Sequence, residues 1–175
     1  MTTPSLAELD EIHQDTLVLY HFLEDRPLKG LTGFVDWRIN GKLSRLVLNG
    51  FATGAAFDTI LMPVSSRILS KRLLLTGLGV RKEYSPDVFR LVCLQTLQTL
   101  LKLHVTSFAL ALPGIEGLKI APRLATEIFL TALHQSFVTP RYNNLDYDIR
   151  FVFPPSHADE LGEIVKNFER QYRRR

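Results

Sequence analysis

The stretch Arg72-Leu73-Leu74-Leu75-Thr76-Gly77-Leu78-Gly79-Val80-Arg81-Lys82-Glu83-Tyr84-Ser85-Pro86-Asp87-Val88-Phe89-Arg90 decides the fold. Leu73, Leu74 and Leu75 form an unbroken apolar run, the signature of a central strand covered on both faces. Gly77 and Gly79 break that run where the backbone turns tightly. Ser85-Pro86-Asp87 then supplies an N-cap, a first-turn proline and an acid at the positive end of a helix. The stretch therefore reads as strand, glycine turn and helix start.

The helix predicted from Pro86 to Leu103 carries Phe89, Val92, Cys93, Leu97, Leu100 and Leu101 on one wide side, which suits packing flat on a sheet. Thr106–Leu112 is the next buried strand. Pro113-Gly114-Ile115-Glu116-Gly117 forms a second glycine turn, and a helix runs from Pro122 to about Val138 with Leu124, Ala125, Ile128, Phe129, Ala132 and Leu133 inward. Asp146–Phe153 alternates as an edge strand with one polar face. A last helix places Leu161, Ile164, Val165, Phe168 and Tyr172 on one stripe, behind a capping box of Ser156 and Asp159.

Upstream of the glycine turn, Thr16–Phe22 reads as a first strand, with His21 at a strand end or sheet edge. Pro27 opens a helical or looped segment through Trp37, and Asn40-Gly41 marks a turn. Lys42–Leu48 is expected as a strand carrying Leu43, Leu46 and Leu48. Asn49–Ala56 reads as a small-residue loop or bend, followed by a strand over Phe57–Met62. Strands come first, then strand–helix units. Right-handed crossovers turn that order into a three-layer α/β/α sandwich with a mixed central sheet.

The totals agree with one domain. The chain has 175 residues, 46% hydrophobic and 22% charged, enough to bury a sizeable core. Residues 1–14 are expected as an acidic tail or short helix, and 15–175 as a single α/β domain. The net charge of +3 is unevenly spread. Residues 1–25 hold six acids and no Lys or Arg, whereas 59–82 hold Arg67, Lys71, Arg72, Arg81 and Lys82 with no acid. Residues 1–25 lack a basic start followed by an apolar run, so no secretory leader is legible. No apolar run reaches membrane-spanning length. A cytoplasmic protein is the expectation.

Chemistry is narrowly bounded. Cys93 is the one cysteine, inside a helical apolar pattern, and reads as a core thiol. His13, His21, His104, His134 and His157 share no ligand spacing, and no His-Glu-x-x-His or Gly-x-Ser-x-Gly occurs. Gly77-Leu78-Gly79 lacks the third glycine of a dinucleotide fingerprint, and no Walker lysine follows a glycine loop. Asp146 and Asp148 share one strand face and read as solvated surface. Basic and aromatic residues do not interleave as in a single-strand groove, so nucleic acid is not the expected partner. The expectation is no catalytic residue, no metal and no cofactor. Open sheets of this kind bind ligands outside the carboxyl ends of their strands. Gly77, Gly79, Gly114, Ile115, Glu116 and Gly117 fall at that edge and are the candidate ligand-binding residues.

Three segments together resemble the amino-terminal domain of the leucyl aminopeptidase family. They are Leu31-Thr32-Gly33-Phe34-Val35-Asp36 with Asn40-Gly41-Lys42-Leu43, then Arg72–Gly79, then Ala109-Leu110-Ala111-Leu112-Pro113-Gly114. The resemblance covers roughly Asp15 to Phe153 and implies a macro-domain-like α/β/α sandwich. In the full enzymes the two-zinc peptidase site lies in a separate carboxy-terminal domain that nothing here matches. The resemblance therefore implies a non-catalytic module acting through protein contacts, with a protein partner or homo-oligomerisation. Its alternative is a binder of ADP-ribose, a nucleotide or another phosphorylated ligand. Gly114–Gly117 before the Pro122 helix looks like the macro-domain phosphate loop, while an adenine-contacting acid and an Asn-Ala-Ala-Asn-like ribose loop are not found.

Overall fold

A computed structural model describes residues 9–64, 67–115, 121–137, 147–153 and 155–172. Its strands are β1 (Thr16–His21), β2 (Thr59–Pro63), β3 (Arg72–Gly77), β4 (Ser107–Leu110) and β5 (Asp148–Phe151). Its α-helices are α1 (Gly30–Arg38), α2 (Lys42–Leu48), α3 (Pro86–Lys102), α4 (Pro122–Phe137) and α5 (Ala158–Tyr172). The sheet order is β2-β3-β1-β4-β5. β2 is antiparallel to β3, and the remaining pairs are parallel. The mixed sheet between helical layers is the expected α/β/α sandwich.

β1 lies at the centre and every residue in it is buried. Side chains alternate across a strand, so one strand feeds two cores. Val18 and Tyr20 join Leu74, Phe108 and Leu110 beneath α3 and α4, against Phe89, Cys93, Leu97 and Phe129. Leu17 and Leu19 join Leu73 and Leu75 on the opposite face, against Leu31 and Val35 of α1 and Leu43 and Val47 of α2. The apolar run at Leu73–Leu75 needs both layers. Ser85 caps α3 as expected, its side chain accepting from the Val88 amide at 3.3 Å.

Several expectations need correction. Lys42–Leu48 is a helix, not a strand. Leu43 and Val47 are buried one turn apart, a helical spacing. The start of α2 is secured from outside it: Asp36 in α1 accepts from the Leu43 amide at 2.7 Å and the Ser44 amide at 3.0 Å. Gly41, in the left-handed region at φ 71°, makes the tight corner between the two helices. The strand expected over Phe57–Met62 runs instead over Thr59–Pro63 and ends at Pro63, which is paired with Arg72. Leu124 is 47% exposed rather than inward, while Thr126 and Leu130 are buried. His134, which the helical spacing puts outside with Arg123 and Glu127, meets the Phe168 ring of α5 edge-on with centroids 6.4 Å apart.

The described part of the acidic segment packs on the domain. Leu9 and Ile12 are buried in the second core, and Asp10 and Glu11 pair with Arg38 and Arg150. β5 is an edge strand, as its polar alternation required. Asp146, Glu116 and Gly117 lie outside the described residues. No helix of the described residues is long and apolar enough to cross a membrane.

Candidate functional site

The helix after β1 packs on one face of the sheet and the helix after β4 on the other. The loops leaving these neighbouring strands therefore diverge, and a crevice opens at their carboxyl ends. It is a cleft of about 100 Å³ between Phe22, Asp25 and Lys29 after β1, Leu78 and Arg81 after β3, and Leu112, Gly114 and Ile115 after β4. That volume admits several water molecules. Val152 and Phe153 beyond β5 and the first residues of α1 complete the lining.

Thr32 fixes α1 against the cleft floor. Its hydroxyl donates to the Tyr20 carbonyl at 2.6 Å and accepts from the Tyr20 amide at 3.3 Å. Phe22 meets Tyr84 edge-on with centroids 5.0 Å apart, and the Tyr84 hydroxyl donates to the Pro113 carbonyl at 2.9 Å. That chain joins the loops after β1, β3 and β4. Burial pushes the Tyr84 phenol well above its ordinary range, so it remains a neutral donor.

The charges sit at the rim. Asp25 is 5% exposed. One carboxylate oxygen accepts from the Phe22 amide at 2.9 Å, and the other accepts from the Arg81 guanidinium at 2.5 Å. Lys29 Nζ lies 4.0 Å from that second oxygen. A buried carboxylate needs such partners, because an unpaired one is costly in low dielectric. The Arg81 guanidinium also lies 4.0 Å from the Phe22 ring centroid.

The sequence-derived candidates divide. Gly114 and Ile115 line the cleft, and in the Gly77–Gly79 turn it is Leu78 that does so. The amides of that turn are occupied within the chain: Gly77 donates to the Asp58 carbonyl, Leu78 to His21 and Gly79 to Gly54, at 2.8 to 2.9 Å. A Cβ on Gly77 would stand 2.1 Å from the Ala55 carbonyl oxygen. The turn is glycine because the 54–56 loop lies directly on it. Gly114, at φ +59°, is likewise crowded: a Cβ would meet Phe22, Leu78 and Tyr84 at 2.8 to 2.9 Å.

Asp25, Lys29, Arg81 and Phe22 were not candidates from sequence. Glu24 and Asp25 entered the sequence reading only among the six acids of residues 1–25, and only the folded chain brings Arg81 to Asp25. A signal was present in the Phe22–Asp25 spacing, since an aspartate often accepts from backbone amides near its own turn. Among the described residues no group of three or more His, Cys, Asp or Glu is placed to hold a metal ion.

The sheet and crevice define a macrodomain-like α/β module, and solved structures agree. A Trypanosoma brucei macrodomain in complex with ADP-ribose aligns at TM-score 0.68 and 19% identity, over 94% of this chain and 67% of that one. A tomato leucine aminopeptidase mutant aligns at 0.60 and 15% identity, over 95% of this chain and 34% of that one. Residues 17–144 match the N-terminal domain of the cytosol aminopeptidase family, and the chain belongs to that family. A probable cytosol aminopeptidase of Geobacter sp. (strain M21) is 30% identical over 118 residues, which span 67% of this chain and 23% of that protein.

Proposed function

We propose that this chain is a non-catalytic binding module whose cleft at the β1/β4 divergence takes a small phosphorylated ligand of the nucleotide class. The observation that carries the reading is the cleft itself. It has apolar and aromatic walls, a charged rim of Asp25, Lys29 and Arg81, and a position where open α/β sheets bind ligands. A macrodomain of similar fold holds ADP-ribose, which makes that compound the first probe. The Gly77–Gly79 amides have internal partners, so in this reading the phosphate contacts come from the rim and from the Gly114–Ile115 side. Isothermal titration calorimetry with ADP-ribose and ADP tests it. Saturable heat is the expected result. Absent heat, with no thermal shift at millimolar ligand, refutes it.

A second reading, docking of a protein partner or of another copy, is favoured by a separate observation. Trp37 is 65% exposed, and Leu48 and Phe51 are each 72% exposed, all on or just after the α1–α2 pair. Exposed apolar side chains mark contact surfaces where they form a contiguous patch, and these three stand on neighbouring elements. Size-exclusion chromatography with light scattering tests self-association, and Trp37→Ala is expected to shift any oligomer toward monomer. A strict monomer unchanged by that substitution counts against self-association.

A further inference from the structure

Arg81 is held from two directions and still has donors to offer. Its backbone amide donates to both oxygens of the Glu24 carboxylate at 3.1 Å, which anchors its main chain at the cleft mouth. Its side chain then turns inward over the Phe22 ring and gives one Nη2 hydrogen to Asp25 at 2.5 Å. An arginine carries five N–H donors in a planar fork. Among the described residues, Nε and Nη1 of Arg81 have no partner. The other oxygen of Asp25 accepts from the Phe22 amide, so the carboxylate is committed on both sides. Asp25 therefore fixes the direction of the guanidinium without covering its remaining edge. Lys29 approaches the same carboxylate with a side chain 61% exposed. Two cations share the one carboxylate inside the cleft, while the Glu24 carboxylate is taken up by the Arg81 backbone amide at its mouth.

We propose that Arg81 receives the anionic group of the cleft's ligand, with Asp25 as the positioning residue that aims it. The inference rests on the cleft being a ligand site and names the chemistry that selects the ligand: an oxyanion, phosphate or carboxylate, attached to a small apolar or planar body. The open edge of a guanidinium matches two oxygens of such a group, a geometry that a lysine cannot reproduce. The Phe22 ring covers one face of the guanidinium and excludes water from it, which strengthens the pairing.

Calorimetry on the intact chain with ADP-ribose, inorganic pyrophosphate and succinate tests this, together with adenosine as a probe lacking the anion. The wild type is expected to bind at least one of the three anions, more weakly as salt is raised, and to bind adenosine less tightly than ADP-ribose. Pyrophosphate and succinate separate phosphate from carboxylate. Arg81→Gln is expected to weaken the binding by about 10- to 100-fold and to flatten its salt dependence, as loss of a charge-assisted pair requires. Arg81→Lys keeps the charge, loses the fork and is expected to fall between the two. Asp25→Asn is expected to weaken binding in the wild-type background but not in the Arg81→Gln background, which a purely structural role would not do. Circular dichroism establishes that each variant is folded, and the two Arg81 variants decide the matter if Asp25→Asn is not. A folded Arg81→Gln protein that binds as tightly as the wild type overturns this inference and leaves the ligand site standing. Absent heat with all three anions removes the site and the inference together.

Discussion

Gly77→Ala is expected to be among the most damaging single-methyl additions in the chain. The new Cβ would stand 2.1 Å from the Ala55 carbonyl oxygen and 2.7 Å from the Gly54 carbonyl carbon. Both are backbone atoms, so no side chain can rotate away. Relief to an ordinary contact moves the 54–56 loop by about 1 Å, in a packed environment that does not yield without cost. That loop is tied to the turn by the Gly79–Gly54 bond at 2.9 Å and by the reciprocal bonds of Gly77 with Phe57 and Asp58 at 3.1 and 2.8 Å. Overpacking costs about 1–3 kcal/mol, and weakening one or two of these bonds adds about 1 kcal/mol each. The sum is about 2–5 kcal/mol, equivalent to a fall in Tm of about 5–20 °C for a chain of this size. Two further glycines calibrate the measurement. Gly50, at φ +74° with nothing within 4 Å of an added Cβ, should lose only the left-handed penalty of about 1–2 kcal/mol. Gly162, inside α5 and also open, should gain up to about 1 kcal/mol on conversion to alanine. Differential scanning calorimetry is expected to order the proteins as Gly162→Ala, wild type, Gly50→Ala, Gly77→Ala from most to least stable. A Gly77→Ala protein that melts no lower than Gly50→Ala refutes the steric account of this turn.

Asp36→Ala removes the acceptor that satisfies two amides at the start of α2 and the Ser44 hydroxyl at 2.5 Å, and should cost about 2–3 kcal/mol in urea denaturation. Burial raises the Cys93 thiol above its ordinary range, so the native protein should resist a disulfide reagent at mildly alkaline pH and react once unfolded; prompt stoichiometric labelling of the native chain contradicts the core placement. Burial, opposed by Asp25, holds the His21 imidazole below its ordinary value of 6.5. The unfolded chain therefore takes up a proton first as pH falls, and the stability that neutral His21 contributes is present above 6.5 and lost below it. His21→Gln should flatten the change in urea midpoint measured between about pH 7.5 and pH 5.5, and an unchanged slope removes the assignment.

Local chemistry was legible where it is self-contained. Ser85 caps the helix that begins one residue later, and Leu73–Leu75 declare a strand covered on both faces without reference to any partner. Lys42–Leu48 misled because it is only seven residues long and its leucines fit either period loosely. Its deciding interaction comes from Asp36 in the previous helix, which propensity within the segment cannot register. The cleft was legible only as a place. Alternation and crossover rules put the glycine turns at the carboxyl edge of the sheet, and Gly114 and Ile115 do line the crevice there. The charges that give it chemistry were not legible, because the Asp25–Arg81 pair joins residues separated by most of the first half of the chain. Gly77 carried a clear signal of close approach, but a glycine does not say whether a ligand or another loop is what approaches.

The central position of β1 bears on how the molecule is made. β1 is synthesised before both strands that flank it, and those neighbours are remote: Thr16 pairs with Arg72 on one side and with Phe108 on the other. A nascent chain emerges at about 5–20 residues per second, so β1, with its run Leu17-Val18-Leu19, waits several seconds for its first neighbour and longer for its second. Throughout that interval its two backbone edges are open to any strand that happens by, including one from a second nascent chain. The strand most protected in the finished protein is thus the one most exposed during its birth. Slow translation before β3, or scarce chaperone, should lower the soluble yield more than the stability of the folded protein would suggest.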